Sequence, residues 1–409
     1  MNPIALRFLS QQLVSPQFAS PTKVVAHIGA VQAQDYRMMR WAVMMRMKKP
    51  LAEAFCQAYD AGEIIRLHLL RGTWQLVSAD DYHWMLRLYA DKAERVIRSW
   101  MKSNKVFIDD EELYSIREIL VDTCERKEPT INGMKDGIAI GCDVAGGCAT
   151  SSNVVYGSAT KEDFARAFVE YGIEMDAHRL SYHIRLAELS GTLCSGCLTP
   201  MQATYALVEK KLKGRKIQLE NRLAEEKGAD GHNVEVPTKS SFVEMDRDEM
   251  LMLLARKYFQ SHSPATFEDY LWWSGLIASE CRKGIELLDS ELRKEKWQDY
   301  DFYLHESCRT RGFRKGISHL LPPFDEYLIG YKSRELSLSL VHTHHAHTNN
   351  GIFFPIIAHD GIVCGNWTPW EKSLKASFFL PQEEELSLDR QWKAFCQFTG
   401  MKTKCTKSL

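Results

Sequence analysis

The sequence predicts an α+β fold with several domains, and three observations indicate this. The chain has 409 residues, enough for about two to four domains with a sizeable buried core. One order of predicted elements, two helices followed by a β-hairpin, occurs three times. After residue 310 the pattern changes to strand-like runs around Asp360-Gly361, a strong hairpin signal.

The repeated order is clearest in the middle of the chain. Thr160 and Asp163 form a capping box that opens one helix, and Asp176 caps a second helix. Two strand-like runs follow, at 192–195 and 203–208. Helix, turn, helix and hairpin is the order of a winged helix, in which the second helix can enter the major groove of DNA.

The same order recurs on both sides of this middle unit. On the C-terminal side we expect helices at 247–262, 266–275 and 278–290 and strands at 292–297 and 302–305. On the N-terminal side we expect helices at 20–29 and 51–61 and strands at 64–70 and 73–77. The sequence therefore predicts three tandem winged helices, followed by a small antiparallel β-domain with a closing helix. The expected boundaries are 1–100, 101–240, 241–310 and 311–409.

Two irregular stretches lie within and after the middle unit. Residues 137–158 are rich in glycine and match neither a dinucleotide fingerprint nor a phosphate loop, so we expect a surface loop. Residues 210–239 begin with a run of lysine and arginine and then become glycine-rich. We expect this segment to be a solvated arm that is able to contact phosphates.

Composition and charge indicate a globular protein without a membrane span. The formal net charge is -1, so a DNA-binding protein of this composition must collect its 52 lysines and arginines on one face. No apolar run approaches the length of a transmembrane helix, and the N-terminus lacks the pattern of a secretory signal. The 11 scattered cysteines fit a reducing compartment, and a cytoplasmic location is expected.

Two groups of residues resemble metal ligands on paper. Cys194 and Cys197 form a C-x-x-C that Cys142 and Cys148 could complete, but the spacing is not that of a zinc knuckle. We therefore expect buried or incidental thiols. The histidines at 342–347 are expected on the surface, because alternating side chains rarely converge on one ion. The sequence implies no metal and no cofactor.

The most informative motif is the pair of carboxamides Gln32 and Gln34, followed directly by Asp35. Side chains two residues apart in extended backbone point the same way, so both amides can reach one water molecule or one nucleic-acid edge. Asp35 then points away and ranks below them. The alternative is an ordinary helix terminus, because glutamine is a good helix former.

An ordered set of short motifs carries a resemblance over nearly the whole chain. The motifs are Gly29-Ala-Val-Gln-Ala-Gln-Asp35, Arg71-Gly-Thr-Trp-Gln-Leu-Val77, Ala187-Glu-Leu-x-Gly191, Trp272-Trp-Ser-Gly275, Leu321-Pro-Pro-Phe-Asp-Glu326 and Asn350-Gly-Ile-Phe353. In this order they resemble the AlkZ-type bacterial DNA glycosylases, which are built from tandem winged helices. The chain departs from the family pattern at the small Ala33 and at Gln75, where histidine is expected.

The resemblance implies a monofunctional glycosylase that removes alkylated purines and unhooks DNA interstrand crosslinks. The catalytic signature of the family, glutamine, an aliphatic residue and glutamine, corresponds to Gln32, Ala33 and Gln34. A sister branch has aspartate at the second glutamine, so this chain aligns with the crosslink-repair branch.

Amide side chains suit this chemistry. A purine alkylated at a ring nitrogen carries a positive charge, so it leaves as a neutral base and needs no proton from an acid. Water must then attack an oxocarbenium-like sugar, which requires positioning of the water more than deprotonation. The carbonyl oxygens of Gln32 and Gln34 can provide that positioning and also face the developing positive charge. Asp35 can stabilise the cation or accept a proton later.

The expected partner is double-stranded DNA with alkylated or crosslinked purines, bound by a monomer. The candidate DNA contacts are Arg71, His178, Arg179, His183 and Arg185, each with an alternative role on a solvated helix face. Trp272 and Trp273 are expected in the core. Two other functions remain open, namely a non-enzymatic winged-helix regulator that binds DNA and a protein scaffold without affinity for nucleic acid.

Overall fold

The computed structural model describes residues 2–128, 154, 156–200, 202–213, 245–370, 373–380 and 386–399. Most of the glycine-rich stretch at 137–158 and of the charged stretch at 210–239 lies outside these ranges, together with Cys142 and Cys148. Among the described helices, none combines the length and the apolar character that crossing a membrane requires.

The N-terminal part combines helices with a small sheet. Its helices are α1 Pro3–Ser10, α2 Pro21–Ile28, α3 Met39–Met44, α4 Ala52–Asp60 and α5 Ala79–Ser103. Its strands are β1 Val31–Gln32, β2 Ile64–His68 and β3 Trp74–Ser78, arranged antiparallel in the order β1-β3-β2. The predicted hairpin is confirmed as β2 and β3, and the short β1 adds a third strand that the sequence did not predict.

The middle part contains the predicted helix pair and hairpin. Its elements are α6 Asp110–Glu125, α7 Lys161–Glu170, α8 Ala177–Leu189, β4 Leu193–Ser195, β5 Tyr205–Leu207 and α9 Val208–Lys211. Thr160 and Asp163 form the predicted capping box of α7, and the Asp176 side chain accepts from two backbone N–H groups of α8. These predictions are confirmed because helix caps depend on residues within one turn of each other.

The third part follows the same order. Its elements are α10 Arg247–His262, α11 Phe267–Ser274, α12 Ala278–Leu288, β6 Leu292–Trp297 and β7 Tyr300–His305. Thr266 and Asp269 form a capping box at the start of α11. Gly275 ends α11 with φ +64°, and a Cβ there would lie 2.8 Å from Cγ of Arg71. Glycine is therefore required both by the left-handed cap and by the close approach of Arg71.

The C-terminal part is an antiparallel sheet with short helices. Its elements are β8 Ser318–Leu321, α13 Glu326–Ile329, α14 Thr343–Ala346, β9 Ile356–His359, β10 Ile362–Trp370, β11 Ser373–Phe378 and α15 Asp389–Thr399. The strand order is β11-β10-β9-β8. Asp360 and Gly361 both have positive φ, as the predicted tight hairpin turn requires.

The first and last parts of the chain share one hydrophobic core. Trp41 and Trp367 are both buried in it, and the indole nitrogen of Trp41 donates to the Leu320 carbonyl at 2.8 Å. The buried Arg46 guanidinium binds both carboxylate oxygens of Asp325, at 2.8 and 2.9 Å. Residues more than 250 positions apart therefore meet at the edge of the N-terminal sheet, where β1 carries Gln32. The architecture is a mixed α and β fold with small antiparallel sheets.

Candidate active site

Gln32 lies at the end of β1 in a fixed position. β1 pairs with β3 so that Gln32 is opposite Gln75. The Gln32 side chain is only 5% exposed, and its Oε1 accepts from Nε2 of Gln75 at 2.9 Å. Gln75 Nε2 also donates to the Thr73 hydroxyl at 2.9 Å. The neighbouring strand thus holds the first carboxamide of the motif in one orientation.

Gln34 differs from Gln32 in secondary structure, in exposure and in hydrogen bonding. The strand ends at Gln32, and Gln34 lies in a bend, where it is exposed. Among the described residues its side chain has no hydrogen-bond partner. Regular strand geometry ends at Gln32 because the chain turns towards α3 directly afterwards, and the expectation that both amides reach one point stays a prediction. The motif consists of one anchored amide and one amide that is free to meet a ligand.

The Asp35 side chain stabilises the same turn through hydrogen bonds. Its Oδ1 accepts from the backbone N–H groups of Arg37 and Met38, both at 2.9 Å. This arrangement satisfies donors at the start of α3 and is the usual role of aspartate at such a position. The ranking of Asp35 below the two glutamines agrees with this geometry.

Glu326 lies beside Gln32, although the sequence analysis named it only as the end of a motif and not as a candidate site residue. It is 2% exposed, and its Oε1 accepts from the backbone N–H of Gln32 at 2.7 Å. Its Oε2 accepts from the indole of Trp273 at 3.3 Å and lies 3.5 Å from Nε2 of His262. A buried carboxylate thus lies directly behind the glutamine motif. The available signal was an acidic pair, Asp325 and Glu326, that directly follows an apolar run.

His262 is the next residue of this buried polar group, on the side away from Gln32. Its Nδ1 lies 2.8 Å from the Ser261 hydroxyl, and its ring stacks on Tyr258 with centroids 4.5 Å apart. Its Nε2 is buried and has no hydrogen-bond partner in the described part of the chain. The carboxylate of Glu326 therefore has a histidine edge on one side and the Gln32 backbone on the other.

Arg66 holds the loop between the two glutamines. Its Nε and Nη2 both donate to the Ala33 carbonyl at 3.1 Å, and its guanidinium lies 3.7 Å from the centroid of the Trp74 ring. Burial lowers the pKa of this guanidinium from its ordinary value. Arg66 lies on β2 and anchors the carbonyl between Gln32 and Gln34. It therefore helps to fix the turn in which Gln34 is exposed.

His68 and Glu188 form a second buried pair beside Trp74. Nδ1 of His68 lies 2.6 Å from Oε2 of Glu188, and the His68 and Trp74 rings are 3.6 Å apart. Burial lowers the pKa of His68, and the Glu188 charge opposes that shift. This pair joins α8 to β2 and so connects the middle part of the chain to the motif.

Arg71 occupies the predicted turn between β2 and β3, but its guanidinium is engaged inside the protein. Nη1 donates to the carbonyls of Trp272 and Trp273, at 3.0 and 2.5 Å. Burial lowers the pKa of Arg71. Trp273 is buried, as expected for the core, whereas Trp272 is half-buried.

The candidates on α8 lie in different environments. Arg179 pairs with Glu112, and the 1% exposed His183 has its Nε2 2.9 Å from the same carboxylate. Burial lowers the pKa of His183. His178 is exposed, and Arg185 lies over the Trp100 ring at 5.4 Å. Arg179 and His183 therefore have an intramolecular partner that the sequence did not reveal, because Glu112 comes from α6.

The surface around Arg179 is acidic. A cleft of about 690 Å³ at the N-terminal ends of α6 and α8 is lined by Asp109, Glu111, Glu112, Glu174, Asp176 and Arg179, among others. Carboxylates repel phosphates, so this end of α8 is electrostatically unfavourable for the DNA backbone. The DNA-contact predictions for His178 and Arg185 stay predictions.

A match between this sequence and a family model identifies the class of the protein. The family model described as DNA glycosylase AlkZ-like matches residues 25–130 and 152–398. The chain belongs to the AlkZ-like DNA glycosylase family. This AlkZ-like chain is therefore a DNA glycosylase and a DNA repair enzyme, as the resemblance of its motifs implied. Its substrate is DNA.

The fold of this AlkZ-like glycosylase has a solved counterpart. The structure of the Streptomyces sahachiroi DNA glycosylase AlkZ aligns with 98% of this chain and 97% of that chain, at a TM-score of 0.67 and 18% sequence identity. At this identity the likeness shows the shared fold. No curated protein matches the sequence.

The described residues contain no cluster of three histidine, cysteine or acidic side chains that could hold a metal ion. Cys194 and Cys197 are both buried and free. His344 and His345 lie on α14 with their rings 4.0 Å apart.

Proposed function

We propose that this AlkZ-like DNA glycosylase hydrolyses the N-glycosidic bond of N7-alkylated purines and unhooks interstrand crosslinks of the same chemistry. The observation that carries the proposal is the asymmetric glutamine pair, with Gln32 buried and anchored and Gln34 exposed and free. Gln32 is oriented from two sides, by Gln75 through its side chain and by Glu326 through its backbone. Such an arrangement suits the placement of one water molecule.

Gln32 and Gln34 have different roles in placing the attacking water. Oε1 of Gln32 already accepts two hydrogen bonds, from Nε2 of Gln75 at 2.9 Å and from the Ala33 backbone N–H at 3.3 Å, which leaves its Nε2 to bind a water molecule. Gln34 meets the same water or the sugar when the substrate is bound. Because a cationic purine leaves as a neutral base, the enzyme needs an oriented nucleophile rather than a strong acid. The carbonyl dipoles of both amides stabilise the positive charge that develops on the sugar.

Glu326 is the positioning residue of this proposal. Its carboxylate fixes the backbone of Gln32, and its negative charge lies on the protein side of the developing oxocarbenium ion. The charge favours a cationic transition state over a neutral substrate sugar, which is the differential stabilisation that catalysis requires. Asp35 keeps the turn that presents Gln34.

The three helix-pair and hairpin units are proposed to be winged helices that together follow a duplex. The unit of α7, α8, β4 and β5 and the unit of α11, α12, β6 and β7 both have the expected order of elements. Three units in one chain remove the usual need for dimerisation, so the proposed active form is a monomer on double-stranded DNA.

The test is release of 7-methylguanine from a methylated duplex, and strand separation of a duplex crosslinked through N7 of opposing guanines. Gln32→Ala and Gln34→Ala are each expected to lower release about 10²-fold or more, the usual effect of removing one preorganised polar group. Gln202→Ala, which truncates another exposed glutamine, is the control and should leave the rate unchanged.

Three results would contradict the proposal. A folded double variant of Gln32 and Gln34 with undiminished release would remove the pair from the mechanism. Wild-type protein that leaves N7-methylated and crosslinked duplexes intact would overturn the substrate class. An equal loss of activity in Gln202→Ala would show that the effect is not specific to the motif.

A further inference from the structure

Three cations surround one indole ring close to the active site. The Trp272 ring is held by a hydrogen bond from its Nε1 to the Ile329 carbonyl at 3.1 Å. The charged groups of Lys332 and Arg334 each lie 5.2 Å from the ring centroid, and that of Arg71 lies 5.6 Å from it. We refer to Arg71, Lys332 and Arg334 around Trp272 as the cationic cluster.

The acidic groups near the cationic cluster are engaged elsewhere in the part of the chain that the structure describes. None of its three side chains forms an ion pair there. The nearby Asp269 already pairs with Arg7 at 3.1 Å, and its other oxygen accepts from the backbone N–H groups of Lys332 and Ser333. Glu326 is likewise engaged by Gln32 and Trp273. Glu326 near Arg71, and Asp269 and Glu335 near Arg334, therefore offset the positive charge of the cluster only in part, without pairing with it.

Arg334 has an unused donor. Its Nε donates to the Leu328 carbonyl at 2.9 Å, whereas its Nη2 is buried without a hydrogen-bond partner among the described residues. Burial and the charge of Arg71 lower the pKa of Arg334 to about 10, so it remains protonated at neutral pH. An unsatisfied buried donor is unfavourable, and a bound acceptor would satisfy it. Lys332 is exposed and can close over such a ligand.

The cluster is connected to the glutamine motif through short contacts. Trp273, the residue after Trp272, donates to Glu326, which accepts from the backbone of Gln32. Arg71 lies in the turn that leads into β3, the strand that carries Gln75. The cluster is therefore joined to the glutamine motif through Trp273 and Glu326 and through the turn before β3.

We propose that Arg334 and Lys332, with Trp272 between them, bind the phosphodiester backbone of the DNA strand that carries the reacting nucleotide. The inference rests on the proposed function and adds to it the site that grips the strand. An anion is the appropriate ligand because guanidinium and ammonium groups form charge-assisted hydrogen bonds with phosphate oxygens. Arg71 donates from Nη1 to two backbone carbonyls, so it adds positive charge to the site without contacting the phosphate. The cations already surround the indole, so Trp272 orients them rather than stacking on a base.

The experiment measures binding to an undamaged duplex over a range of salt concentrations, for the wild type, Arg334→Gln, Lys332→Gln and the double variant. Each lost phosphate contact lowers the slope of log K against log salt by about 1, so the double variant should lose about 1 to 2. Arg117→Gln is the matched control, because Arg117 is also half-buried and lies over an aromatic ring, Tyr114, at 5.3 Å. Its slope should equal that of the wild type.

The outcomes separate this inference from the proposed function. A double variant with the slope of the wild type overturns the phosphate site, even if the wild type releases alkylated bases. A reduced slope supports the site, even if no base is released, because binding to undamaged DNA requires no chemistry. Lys332→Gln keeps the test valid if Arg334→Gln unfolds, since Lys332 is exposed and its loss does not disturb the fold.

Discussion

Replacement of Glu326 by glutamine separates the charge of this residue from its shape. The side chain is 2% exposed and accepts from Gln32 N at 2.7 Å and from the Trp273 indole at 3.3 Å. The amide oxygen of a glutamine can still accept one of these bonds, so the position of Gln32 is largely retained. The negative charge behind the glutamine motif is lost.

The expected magnitude follows from Coulomb's law. Two unit charges about 8 Å apart, at an effective dielectric constant of about 20, interact by about 2 kcal/mol, and we take this as the expected contribution of Glu326. Loss of this stabilisation corresponds to a decrease of about 30-fold in the rate of the chemical step. The free energy of unfolding should fall by about 1–2 kcal/mol, because two charge-assisted hydrogen bonds become neutral or are lost.

The assay is single-turnover release of 7-methylguanine at saturating Glu326→Gln enzyme, together with the affinity for the same duplex. The rate constant should fall while the affinity stays unchanged, a split that general loss of structure would not produce. Glu291→Gln is the control, because it also removes a carboxylate beside a histidine, 3.1 Å from Nε2 of His305, but does not contact Gln32. An unchanged rate constant in Glu326→Gln, or an equal loss in Glu291→Gln, would refute the electrostatic role.

Three further predictions concern stability, each measured by urea unfolding monitored by circular dichroism. Gln34→Ala should change the free energy of unfolding by less than about 0.5 kcal/mol, whereas Gln32→Ala should cost about 1–3 kcal/mol because one N–H of the buried Gln75 amide loses its acceptor; equal costs would contradict the asymmetry of the pair. Arg46→Ala should cost about 3–5 kcal/mol because the carboxylate of Asp325 stays buried without its partner, and a cost below about 1 kcal/mol would contradict this. Burial lowers the pKa of His319 to about 4 in the folded state, so its contribution is present above pH 6.5, the ordinary value, and is lost as the pH falls from there to about 4. A His319→Gln variant should therefore lose less stability than the wild type over that range, and an identical pH profile would contradict the assignment.

Local features of the candidate site were predictable from the sequence. The order of Gln32, Gln34 and Asp35 is contiguous, and the caps at Thr160, Asp176 and similar positions depend on neighbours within one helical turn. Side chains in contact along the chain constrain each other before any tertiary structure forms. Only the fold shows that Arg66, from another strand, holds the Ala33 carbonyl and that the chain bends at Gln34.

Partners from distant segments were not predictable. Glu326 lies 294 positions from Gln32, and Glu112 lies 71 positions from His183. Spacing along the chain carries no information about such pairs, since many carboxylates are available and only packing selects one. For the same reason the sequence did not show that Arg71 donates to two backbone carbonyls and that Arg179 pairs with Glu112.

By itself the sequence determined two things: the ordered short motifs carried the resemblance to the AlkZ-like family that the family model confirms, and local periodicity and caps indicated the repeated helix-pair and hairpin units. Only the tertiary structure decided that Gln32 is anchored while Gln34 is free, that a buried carboxylate lies behind them, and that three cations meet at Trp272. These features arise where the first and last parts of the chain share one core, and burial there selects which polar groups become partners.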